Sequence, residues 1–184
     1  MKNFFIPILI VLSLFFPSCE NADKDQVVHE LIFKTIPAWQ KLTDFRMEMN
    51  NAAVRNMKWV NIPGASEEKT KQGAFVNDTY QKLKSDLKQA FMGQPQQDKV
   101  EIDSLLVSCD KQILVYKDIM DDLSSVVAYN DPGIFLYDQS MVLDNDGVCV
   151  VLSKVIDREM DGLLKRYELK MQEAKDNISK MERK

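Results

Sequence analysis

The sequence predicts an all-α fold, an antiparallel up-down-up-down bundle of four long helices. Three observations predict it. Apolar residues recur in alternating steps of three and four along four successive stretches, the seam of helices that pack on helices. The chain has six Gly and six Pro but ten Met in 184 residues, a composition suited to long helices rather than many short strands. Two of the three breaks between the stretches are short, and short breaks make consecutive helices antiparallel neighbours. A coiled-coil hairpin that pairs with a second molecule is the alternative arrangement.

The first helix is expected from about 25 to 60. Its seam passes through Val28, Leu31, Trp39, Leu42, Phe45, Met49, Ala52 and Val60. Pro37 lies inside it, so the helix either kinks there or restarts there, because proline lacks the N–H and its ring crowds the preceding turn. Asn61-Ile62-Pro63-Gly64 stops it. The second helix opens at Ser66, a good N-cap, with Glu67 and Glu68 against the positive end of the dipole. Its seam is Val76, Tyr80, Leu83, Leu87, Ala90 and Phe91, and Gly93 with Pro95 ends it. The third runs from about 98 to 129 through Ile102, Leu105, Cys109, Ile113, Tyr116, Met120, Leu123 and Val127. The stretch 133–146 then reads as a long irregular connection that is unusually apolar. The fourth helix is expected to start around 144–147 and to follow Val148, Val155, Met160, Leu163, Tyr167, Met171 and Ile178.

The N-terminus is a processing segment by composition. Lys2 precedes an apolar run from Phe4 to Phe16, followed by Pro17, Ser18 and Cys19 and then by polar residues. The run fits the apolar region of a secretory signal peptide. It is too short for a transmembrane helix, which needs about 20 apolar residues. The pattern resembles the lipobox of bacterial lipoproteins, over residues 1–19 only. Phe16 and Pro17 stand where that family usually has Leu and a small residue. The resemblance implies that residues 1–18 are cleaved, that the Cys19 thiol carries a lipid, and that 19–24 is a short anchored linker to a helical domain over 25–184. It also implies a place in the cell envelope. In the family, Asp directly after the Cys often marks retention at the inner membrane. Here that residue is Glu20, which favours the outer membrane.

Cys109 and Cys149 remain in an oxidising compartment, which invites a disulfide. Topology argues against it. With helices three and four antiparallel, Cys149 faces residues near Val127, about 27 Å along the axis from Cys109. A disulfide needs Cα atoms within about 7 Å. Both are expected to remain thiols.

The sequence offers no catalytic or cofactor constellation. A di-iron bundle needs two Glu-x-x-His pairs, and the only histidine is His29. No Cys-x-x-Cys-His haem motif, glycine-rich phosphate loop or Gly-x-Ser-x-Gly elbow occurs. Asp144-Asn145-Asp146-Gly147 has the look of a calcium loop but lacks the ligands at its first and twelfth positions, and reads as a turn. No cofactor and no metal are expected. The net charge of −4, with no basic patch, argues against nucleic acid.

The distal end of the bundle, away from Cys19, gathers Trp59, Ile62, Phe135, Leu136, Tyr137 and Met141. The segment 133–146 is expected either to fold over the open end as a cap or to present an apolar patch to a partner. These readings lead to a non-enzymatic protein of the cell envelope. Its partners would be the membrane, through lipid on Cys19, and another envelope protein bound at the distal end, with self-association open as well. An extracytoplasmic small-molecule sensor or apolar-ligand carrier is the alternative.

Overall fold

The computed structural model describes residues 19–61, 66–124 and 132–183, with side chains described for 23–60, 67–121 and 147–183. Residues 1–18, expected to be a signal peptide, and residues 62–65 and 125–131, Ile62 among them, lie outside the described residues. Four long helices follow one another, and no strand occurs among the described residues. Helix α1 (residues 19–61) joins Cys19–Glu30, a π turn at Leu31–Thr35 and Ile36–Asn61. Helix α2 (residues 66–91) joins Ser66–Ala74, a π turn at Phe75–Thr79 and Tyr80–Phe91. Helix α3 spans Gln96–Ser124 and helix α4 spans Pro132–Met181. No described helix is long and apolar enough to cross a membrane.

Ion pairs and hydrogen bonds fix the antiparallel register of each neighbouring pair. Lys41 meets Asp86 between α1 and α2, and Lys88 meets Asp103 between α2 and α3. Gln112 bonds Ser153 between α3 and α4. Arg46 reaches Asp157 and Asp161 between α4 and α1. The seams expected from sequence supply most of the core: Leu42, Phe45, Leu87, Phe91, Ile102, Leu105, Tyr116, Met160 and Tyr167 are all buried. Val148 and Val155 of the expected fourth seam are instead exposed, because Cys149 and Ile156 take the inward face. Each such side chain contributes about 1.5–3 kcal/mol through removal from water.

Pro37 neither stops nor sharply restarts α1. The ladder widens just before it instead. In the π turn the Ile36 N–H bonds the Leu31 carbonyl, five residues back. A wider turn relieves the crowding that proline imposes on the carbonyls before it. The Lys34 carbonyl accepts a further hydrogen bond from the Gln94 side chain at 3.0 Å. Gln94 is itself buried, so the α2–α3 connection is pinned to α1 at this level.

Below that pin only two helices continue. Lys24 pairs with Glu182 at 2.8 Å, so the first turns of α1 run beside the last turns of α4. The 19–24 stretch expected as a linker is helical from Cys19 onward. Residues 19–33 therefore form half of a two-helix stem, about 20 Å long.

Helix α4 corrects the sequence reading. It begins at Pro132, not near 144–147, and is 50 residues long, about 75 Å. The 133–146 segment is thus neither an irregular connection nor a cap folded over the bundle. Proline suits the first helical position, where no N–H is needed. Gly133 and Gly147 each cost about 1 kcal/mol in a helix. The alternating spacing continues across them through Ile134, Tyr137, Met141, Val148, Val151 and Val155. Continued along straight helices, Asn61 and Ser124 come level with residues near 141–144. The first turns of α4 run on past both.

Candidate functional site at the distal half of the bundle

Trp59 belongs to the core. It is 4% exposed, with the Lys69 Nζ 6.0 Å from its ring centre. It offers no exposed contact surface. Ile62 lies outside the described residues. Phe135, Leu136, Tyr137 and Met141 fall on the opening turns of α4, and their side chains lie outside the described residues. Cys19 is the first residue of α1. Its side chain also lies outside the described residues.

The described surface adds a feature that the sequence reading missed. Around Cys149, which is buried, α4 carries Val148 at 47%, Val150 at 44%, Val151 at 62% and Val155 at 39% exposure. At 100° per residue Val148, Val151 and Val155 share one face of the helix, and Val150 stands on another. The helix is apolar round most of its circumference here, while the bundle covers only one side. A helix that is apolar all round is ordinarily buried all round. The signal was present in the run Val148-Cys149-Val150-Val151-Leu152, which fills more of the circumference than one seam needs.

Between α1 and α4 an apolar cleft of about 250 Å³ opens in the same half. Val54, Met57 and Val150 form its mouth, with Lys154 at the rim. It penetrates between the two helices as far as Tyr116 of α3, which is fully buried. Asn56 and Ser153 flank Tyr116 at the inner end. Behind them Gln112 donates to the Tyr116 hydroxyl at 2.7 Å and to Ser153 Oγ at 2.5 Å. The wall is apolar and the inner end carries neutral hydrogen-bonding groups.

The main charged cluster lies at the other end and is structural. Asp98, in the first turn of α3, is buried. It accepts from the Tyr167 hydroxyl at 2.9 Å, Lys170 at 2.6 Å and Arg166 at 3.2 Å. Arg166 also binds Glu101. Three donors compensate the buried carboxylate, and the helix N-terminus favours its charge. Burial, together with the Asp98 hydrogen bond, pushes the Tyr167 hydroxyl far above its ordinary range. On α3, Asp110 receives Tyr80 at 2.7 Å and Lys84 at 2.6 Å. Burial works to raise the Asp110 carboxyl, but these two donors outweigh it and hold it below the ordinary carboxylate range.

Cys109 and Cys149 are both buried thiols outside any disulfide. Burial, reinforced by Asp110, pushes the Cys109 thiol well up. A thiol so shifted is a core side chain, not a nucleophile. Among the described residues no group of three or more His, Cys, Asp or Glu could hold a metal ion. Comparison with protein-family models, curated proteins and solved structures finds no match.

Proposed function

We propose that this chain is a lipid-anchored protein of the cell envelope, held through Cys19, that binds another protein around the distal half of α4. Its role is non-enzymatic, as an adapter or scaffold, and the outer membrane is the favoured location. One observation carries the binding reading. Val148, Val151 and Val155 form one exposed apolar stripe of α4, and Val150 is exposed on the other flank of the face that the bundle covers. Exposed apolar clusters of this kind mark contact sites. The apolar sequence from Ile134 to Leu143 extends the same helix past the ends of its neighbours.

The test is a crosslinked pull-down from intact envelopes with the lipidated wild type, a Val151→Glu/Val155→Glu variant and a Phe135→Asp/Tyr137→Asp variant. Both pairs of substitutions should leave the helical circular dichroism and the melting temperature close to wild type. The reading expects one protein captured by the wild type and lost from both folded variants. Equal capture by all three would overturn it. A carrier or sensor of a small ligand is the second reading, and the cleft between α1 and α4 is the observation that favours it.

A further inference from the structure

We infer that the cleft between α1 and α4 is a site for a small aromatic acid: a compact apolar body with a carboxylate at one end and a hydroxyl at the other. The proposal gives a ligand class to the second reading above; Val150 belongs both to the cleft mouth and to the exposed valines of α4.

The chemistry follows from depth. Binding sites in helical bundles lie between helices, with mostly apolar walls and a few placed polar groups. This cleft is apolar along Val54, Met57 and Val150, which stand about half exposed around its mouth. At about 250 Å³ it matches a single ring with a short side chain rather than a lipid or a nucleotide. Its inner end is different in kind. Asn56 is 1% exposed, and Tyr116 and Ser153 are tied together by Gln112. Neutral amide and hydroxyl groups there suit a ligand hydroxyl and penalise a buried charge. At the rim, Lys154 is the cation among the lining residues. A carboxylate beside it stays near water, where an ion pair needs little desolvation. The order from outside inward is cation, apolar wall, neutral hydrogen-bonding floor. A hydroxyphenyl carboxylic acid has the complementary order.

Equilibrium dialysis of the full-length lipidated protein in nanodiscs tests this, with empty nanodiscs as the blank. The probes are 4-hydroxyphenylacetate, phenylacetate and 4-ethylphenol. The proposal expects saturable binding of one equivalent of 4-hydroxyphenylacetate, with phenylacetate bound about fivefold more weakly through loss of the inner hydrogen bond. Lys154→Gln should weaken the two acids about threefold and leave 4-ethylphenol unchanged. Val150→Trp, which fills the mouth from an exposed position, should abolish binding of all three. Absence of saturable binding above the blank would overturn the proposal. So would binding that survives Val150→Trp, or acid binding indifferent to Lys154→Gln. The pull-down variants leave every cleft residue in place and the dialysis uses the purified protein with no partner present, so either reading can fail alone.

Discussion

The Gln94 side-chain amide donates to the Lys34 carbonyl at 3.0 Å, joining the α2–α3 connection to the π turn of α1. The two residues are 60 positions apart in sequence. The bond marks the level at which the four-helix body becomes a two-helix stem. Gln94→Ala should lower stability by about 1 kcal/mol, since it removes a part-buried side-chain hydrogen bond to the Lys34 carbonyl. Urea unfolding measures the loss. Amide exchange should quicken around 31–36 and 92–95 and stay slow near Leu105. A uniform change along the chain would contradict a local clamp.

Asp98 is the most heavily bonded carboxylate of the interior. Asp98→Ala leaves Arg166 and Lys170 without this partner and the buried Tyr167 hydroxyl without an acceptor. The cost should be about 1–3 kcal/mol, set mainly by the unsatisfied Tyr167 hydroxyl, because Arg166 and Lys170 are about a third exposed. Asp98→Asn, which keeps an acceptor for Tyr167, should cost less. Equal midpoints for the two variants in urea would show that the charge alone matters.

Stability should fall on both sides of neutrality, for different groups. On the acid side, hydrogen bonds from Arg166, opposed by burial, hold Glu101 below its ordinary value of 4.5. Asp110 lies below 3.8. Depressed carboxyls contribute stability that is present above their unfolded values and lost as pH falls through the folded ones. The loss should therefore begin below about pH 4.5. Lys84→Met should shrink the Asp110 share of it.

On the alkaline side, burial raises Tyr80, whose ordinary value is 10.0, and Cys109, whose ordinary value is 9.0. Raised groups contribute stability that is complete below the unfolded values and lost as pH rises towards the folded ones. Urea midpoints should decline above about pH 9. A flat profile from pH 8 to 11 would contradict the burial of these groups.

Cys19→Ala should release the protein from sedimented membranes into the soluble fraction and abolish incorporation of an alkyne-labelled fatty acid. The helical content should not change, because Cys19 is the first residue of α1. Label retained by Cys19→Ala, or absent from the wild type, would overturn the proposed anchor.

The four seams were legible because helix packing writes a period of three and four into sequence, and the buried set from Leu42 to Tyr167 follows it. What escaped was governed by competition between local and global terms. Gly133, Asp144 and Gly147 are turn signals by propensity. They amount to about 1 kcal/mol for each glycine and did not stop a helix whose apolar spacing, interrupted at Asp144 and Asn145, resumes in phase at Val148. Pro37 was legible as a disturbance but not as a π turn. The sequence likewise does not place Gln94 beside the Lys34 carbonyl. Trp59 lies next to Val60 of the expected seam but is expected in the distal patch, and only packing reveals that it faces inward. The cleft was not legible at all, since Val54, Tyr116 and Val150 come from three helices.

The stem brings the two ends of the helical chain together, and this has a mechanical consequence. A pull applied between Cys19 and the first turns of α4 loads α1 and α4 lengthwise. Two antiparallel helices stretched from opposite ends must slide past one another, so their contacts are strained together rather than peeled one at a time. Lys24 with Glu182 and Arg46 with Asp157 span that seam at well-separated levels. The molecule is built to bear tension along its long axis and to yield more easily to a force that pries Glu182 sideways from Lys24.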